Sequence, residues 1–96
     1  MAGPSATARP ITVVLAPALV SLFPGSAMRI DVHAATVDQL IDALDARWPG
    51  MGDRLRDSSP SVRRHINIFC NGERLGLGAT LPDGAEVFVL TAVSGG

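Results

Sequence analysis

One amphipathic helix, bracketed by short strand-like runs, most constrains what this chain can fold into. Val37, Leu40, Ile41, Leu44 and Trp48 recur at helical spacing, with Asp38, Asp42 and Asp45 on the outer face. Thr36 and Gln39 read as a capping box, in which the hydroxyl accepts an orphan amide and the Gln side chain reaches back. Asp38 in the first turn and Arg47 in the last suit the helix dipole, and Pro49-Gly50 ends the helix. A lone helix of roughly three turns presents one apolar stripe. One face of one sheet can cover it, which makes a two-layer α+β domain.

The flanking runs supply the sheet. Ile11 to Leu15 is β-branched and bounded by Pro10 and Pro17, a strand. After a turn at Pro24-Gly25, Met28, Ile30 and Val32 alternate with Arg29 and Asp31, a half-buried strand that pairs with the first as a hairpin. Beyond the helix, Gly52 to Arg56 reads as one further helical turn, and Arg56 to Arg64, with Ser58-Ser59-Pro60, as a polar loop. His65 to Cys70 is a strand, Asn71-Gly72 a hairpin turn whose residues tolerate positive φ, and Glu73 to Leu77 a short return strand. Pro82-Asp83-Gly84 turns the chain into a last strand, Glu86 to Leu90. The expected order is ββαββ, with a short connection before the final strand. The expected fold is a single β-grasp domain, a mixed sheet of four to five strands on one main helix. It requires the last strand to lie centrally beside the first, which periodicity does not reach. Residues 1–10 are expected to be a flexible arm, 11–91 the domain and 92–96 a flexible tail.

Composition excludes several functions. The 96 residues suffice for one modest core, and with 47% apolar and 18% charged residues they are globular in character. Eight basic against nine acidic residues leave no footprint for nucleic acid or an anionic membrane. Every basic residue is arginine, so the chain has no side-chain amine through which it could extend itself, only its α-amino group. A single cysteine, Cys70, excludes an internal disulfide and a cysteine zinc site. His33 and His65 are far apart in sequence and suggest no metal. A reducing cytoplasm is the expected compartment. The rival is the apolar stretch Ile11 to Pro24 with Gly25-Ser26-Ala27 behind it, which has some features of a signal peptide. Pro17 and Pro24 interrupt it, it is too short to span a bilayer, and its cleavage would remove a strand.

The chain closes on Val93-Ser94-Gly95-Gly96. With ten glycines in the sequence, a terminal pair arises by chance in about one such chain in a hundred, so what precedes it must decide its meaning. The run His65-Ile66-Asn67-Ile68-Phe69-Cys70-Asn71-Gly72-Glu73, then Leu81-Pro82-Asp83-Gly84-Ala85-Glu86-Val87, then Val93-Ser94-Gly95-Gly96, resembles the ubiquitin-like sulfur carrier proteins. These include the molybdopterin synthase small subunit, the thiazole-synthesis carrier and the cysteine-synthesis carrier. The resemblance follows element order from residue 11 onward and is sharpest from His65. It implies a β-grasp fold and a protein co-substrate that is no enzyme. A ubiquitin-activating-like adenylyltransferase would join Gly96 to AMP, and a sulfur donor enzyme would then convert it to a thiocarboxylate. An acceptor, either a cysteine-synthase-like enzyme or a molybdopterin synthase large subunit, would take the sulfur. ATP and magnesium would belong to the activating enzyme; no phosphate-binding loop is visible in this chain. The thiazole carriers tend to lack the stretch from Pro49 to Arg64, whereas Arg47-Trp48-Pro49-Gly50-Met51-Gly52-Asp53-Arg54-Leu55 looks more like the cysteine-synthesis type.

Two surfaces follow. Glycine lacks a Cβ, so Gly95 and Gly96 can thread a narrow site with Val93 and Ser94 behind them; residues 92–96 extend at most roughly 16–18 Å. In the strand from His65, Ile66, Ile68 and Cys70 point one way and Asn67 and Phe69 the other. With Val87 and Val89 facing the helix, Phe88 and Leu90 share the open face with Phe69, an apolar patch of the kind that marks a partner site. The alternative register, one residue off, puts Phe69 or Phe88 in the core. Cys70 reads as a small buried hydrophobe, Trp48 as a core or rim anchor, and the three aspartates as a solvated helix face. Arg63-Arg64-His65 reads as a solvated loop end, with docking on an acidic partner as the other reading. No catalytic constellation is visible, since neither histidine neighbours a nucleophile. Two other functions share the features: a ubiquitin-like modifier joined to lysines through Gly96, and an interaction module whose diglycine is incidental.

Overall fold

A computed structural model describes residues 9–57 and 62–91. The elements run β1 (Ile11–Leu15), α1 (Pro17–Leu22), β2 (Arg29–Val32), α2 (Val37–Arg47), α3 (Met51–Leu55), β3 (Ile66–Cys70), β4 (Glu73–Arg74) and β5 (Glu86–Thr91). The five strands form one sheet in the order β2-β1-β5-β3-β4. β5 runs parallel to β1 and antiparallel to β3, so the last strand occupies the centre, held on both sides. Residues 1–8, 58–61 and 92–96, and with them most of the expected arm and the whole tail, lie outside the described residues.

The helices bury one face of the sheet. Val37, Leu40, Ile41 and Leu44 of α2 are fully buried against Val13 and Leu15 of β1, Ile68 of β3, and Val87 and Val89 of β5. Burying one such side chain contributes about 1.5–3 kcal/mol against leaving it exposed, and this cluster organises the domain. The cap of α2 forms as the sequence predicts: the Gln39 amide donates to Thr36 Oγ1 at 3.2 Å. The Gln39 side chain reaches back one residue further than the cap, accepting from the Ala35 amide at 2.8 Å.

Two expectations change. β1 and β2 do pair antiparallel, but α1, not a tight turn, joins them. The helix has six residues, begins on Pro17 and ends before Pro24, and with no capping side chain at Ala16 the proline at its first position is its one sequence signal; Leu19, fully buried, anchors the helix to the core. The return strand stops at Arg74, although the Leu75 amide still donates to the Ile68 carbonyl at 2.7 Å. Asn71 and Gly72 take φ of 54° and 79°, the turn their residue types favour.

The aspartates of α2 do more than face solvent. Asp45 Oδ1 accepts from the amides of Gly50 and Gly52 at 3.0 and 2.9 Å, capping α3 from a neighbouring helix. Gly50, the N-cap of α3, sits at φ 98° and has no side chain to cap with. Arg56, just past α3, pairs with Asp38 at 2.7 Å and with Asp42. The Asp42 hydrogen bond, with the charges of both aspartates, raises the Arg56 pKa over the opposing effect of burial. The apolar stretch weighed as a leader peptide forms β1 and α1, with Ile11, Val13, Leu15 and Leu19 buried. Among the described residues no helix is long and apolar enough to cross a membrane.

Candidate functional site

The uncovered face of the sheet carries the candidate site. Along β5 the residues alternate, with Val87 and Val89 in the core and Glu86, Phe88 and Leu90 exposed. Phe69 pairs directly with Phe88 across β3 and β5, and Asn67 with Leu90. On the other flank Val14 of β1 is level with Phe88. The side chains of cross-strand partners project to the same face, so Val14, Phe88 and Phe69 form a row across three strands with Leu90 beside it. Phe88 and Leu90 each keep 38% of their surface exposed. The register is the one in which Phe69, Phe88 and Leu90 share the open face, and the core-facing alternative is not what forms.

Polar contacts frame the row. Arg29 Nη2 lies 2.6 Å from Glu86 Oε2, and Thr12 Oγ1 donates to Asp31 Oδ1 at 2.9 Å toward the β2 edge. On the opposite side Arg74 pairs with Phe69. Val14 belongs to the patch although the sequence reading left it out. Its signal was present, because burial of Ile11, Val13 and Leu15 obliges Thr12 and Val14 to face outward.

The site lies on β5, the strand after which the sequence runs on to Gly96. β5 is hydrogen-bonded from Glu86 to Thr91, and its final pair is Ile66 with Thr91. A strand fixed on both sides sets the place and direction from which the following residues start. Val93, Ser94, Gly95 and Gly96 lie outside the described residues.

The other singled-out residues scatter. Cys70 is buried opposite Val87 and fills core volume. Trp48 is half-buried against the core at the end of α2. His33 and His65 are exposed at opposite ends of the domain, His33 just after β2 and His65 just before β3. Among the described residues no group of three His, Cys, Asp or Glu side chains is placed to hold a metal, and no polar side chain is buried.

A mixed five-stranded sheet with parallel strands at its centre, one long helix across one face and an apolar patch on the other, defines a ubiquitin-like β-grasp protein. The ThiS family model matches residues 21–96, and the chain belongs to this family of ubiquitin-like sulfur carriers. The sulfur carrier protein CysO of Mycobacterium tuberculosis is 33% identical over 86 residues, covering 83% of this chain and 92% of the relative. The small archaeal modifier protein 1 of Haloferax volcanii is 36% identical over 70 residues, covering 72% and 80%. The structure of the Amycolatopsis orientalis BexX/CysO complex contains a chain that matches with a TM-score of 0.77 at 31% identity, covering 90% of this chain and 99% of that one.

Proposed function

We propose that this chain carries sulfur as a thiocarboxylate on Gly96 and serves its partners as a co-substrate. One observation carries the reading: in a member of the ThiS family, the strand that builds the open apolar patch also leads directly to the diglycine. In this reading a ubiquitin-activating-like adenylyltransferase docks on Phe69, Phe88 and Leu90 and threads Val93 to Gly96 into its site. A free carboxylate is a poor electrophile because its charge is delocalised. The Gly96 carboxylate attacks the α-phosphorus of ATP, pyrophosphate leaves, and the resulting acyl adenylate carries AMP as a good leaving group. Hydrosulfide supplied by a donor enzyme then attacks the acyl carbon, AMP leaves with the carbon–oxygen bond that breaks, and loss of the sulfur-borne proton gives the thiocarboxylate. ATP and magnesium act in the partner, and the chain itself needs no cofactor. Likeness to CysO favours a cysteine-synthase-like acceptor over a molybdopterin synthase large subunit, and the cytoplasm as the compartment.

The test uses a convenience of the sequence. Cleavage after Arg74 releases residues 75–96, which contain neither methionine nor cysteine. A gain of about 16 Da on that fragment therefore reports sulfur for oxygen and not side-chain oxidation. The gain should appear in cells holding the activating and donor enzymes and vanish when Gly96 is deleted. A fragment that stays unmodified beside active partners would refute the proposal.

The likeness to small archaeal modifier protein 1 favours a second reading, attachment to lysines of other proteins through Gly96. It predicts adducts that survive thiol reductant and require Gly96. Because the chain has no lysine, chains of this protein linked through side-chain amines cannot form on an acceptor.

A further inference from the structure

We propose that a cavity between α1, α3 and the start of β3 is a second docking site, which takes an acidic, apolar-tipped segment of a partner protein. The cavity has a volume of about 670 Å³ and is distinct from the open sheet face. Its apolar wall is Leu22 and Phe23 at the end of α1 with Ile66 of β3, and its rim carries the arginines Arg54 and Arg63 beside His65. Phe23 packs over Gly50, where a Cβ would make only an ordinary contact with the ring at 3.4 Å, and it is the φ of 98° that favours glycine there. Leu22 remains 51% exposed at the mouth, apolar surface that a bound segment would cover.

Charge selects the occupant. Arg56, just past α3, is not part of the wall and is matched by Asp38 and Asp42 of α2. The side chains of Arg54 and His65 make no hydrogen bond or ion pair to the described residues, and Arg63 spends its Nε proton on the Asp53 carbonyl oxygen. Among the described residues Asp53 is the only acidic side chain that lines the cavity. In a chain of net charge −1 this corner is locally positive, the complement of a carboxylate-bearing segment.

Position selects the partner. Ile66 pairs with Thr91, so the cavity lies at the end of the sheet from which the chain continues to Gly96. A protein that holds Gly96 in an active site must stand at this end. The link to that protein rests on the carrier reading; the site itself does not.

The full chain, labelled with ¹⁵N, is titrated with the peptide acetyl-Asp-Phe-Glu-amide and, separately, with acetyl-Asn-Phe-Gln-amide. The acidic peptide should shift the amides of Phe23, Gly50, Arg54 and Ile66 and bind at least fivefold more tightly than its neutral analogue. Arg54→Gln should weaken it roughly two- to fivefold, the range of one exposed ion pair, Leu22→Ser should also weaken it, and 0.5 M salt should erase the preference. Equal affinity for the two peptides, shifts confined to the Phe88 face, or affinity unmoved by both variants would overturn the proposal. With the activating enzyme, Arg54→Gln should raise KM and leave kcat, and an unchanged KM would refute the assignment to that partner. A chain that never acquires sulfur would defeat the carrier reading while leaving the peptide result intact.

Discussion

Truncating Phe88 to alanine removes the central ring of the open face while sparing the core and the tail. The ring has 38% of its surface exposed in the free chain. A fully exposed Phe offers roughly 200 Å², so docking would cover about 75 Å², worth about 2 kcal/mol at 25 cal/mol per Å². Alanine recovers little of that area, and the expected loss of docking is about 10- to 30-fold. The isolated domain also loses contact between the ring and Val14 and Phe69, a half-buried site where about 1 kcal/mol, or roughly 4–8 °C in Tm, is expected. Pyrophosphate release by the activating enzyme, measured against carrier concentration below that melting range, separates the two effects. KM should rise by the docking factor and kcat should hold, because the reacting carboxylate is untouched. Asp31→Asn, toward the β2 edge and outside the patch, should change neither. Unchanged kcat/KM in Phe88→Ala, or an equal fall in Asp31→Asn, would refute the docking argument.

Two further predictions concern the contact between α2 and α3. A Cβ on Gly52 would stand 3.1 Å from Asp45 Oδ1, so the Asp45 side chain must shift by a few tenths of an ångström and its bonds to both amides lengthen. The weakened charge-assisted bonds outweigh the helix propensity alanine adds, so Gly52→Ala should cost about 1 kcal/mol in urea unfolding. Asp45→Ala should cost a similar amount, and the double variant little more than the larger single, because both act on the same interaction; full additivity would show the cap to be unimportant. Arg56→Gln should cost about 1 kcal/mol, near the upper end for a solvent-touched ion pair. Because folding raises the Arg56 pKa, its stabilisation is complete below the ordinary arginine value and is lost only as pH climbs past the folded one. The cost should therefore be equal at pH 7 and pH 10, and a cost that halves by pH 10 would contradict this.

Much of the fold was legible because its signals are local. Thr36 and Gln39 cap α2 through bonds within one turn, Asn71-Gly72 turns on its own backbone preference, and alternation in β3 and β5 assigns faces before any partner strand is known. The patch of Phe69, Phe88 and Leu90 followed from that alternation once the core face was chosen. What the sequence hid depends on distant residues. α1 is held by burial of Leu19 and by no cap, so six residues that begin on a proline read as a turn. Asp45 looks like solvated helix surface until α3 folds back and offers it two amides. The cavity is invisible for the same reason, since Phe23, Arg54 and Ile66 meet only across three elements.

The sequence by itself determined one capped helix, the strands around it, which residues of each strand face the core, and a chain that stops on two glycines. Periodicity and capping act over a few residues, so they survive without a three-dimensional context. Tertiary structure decided that β5 lies between β1 and β3, because strand order is set by which faces the single helix can cover together. That placement turns isolated outward residues into one row, Val14, Phe88 and Phe69, and sets it on the strand that leads to Gly96.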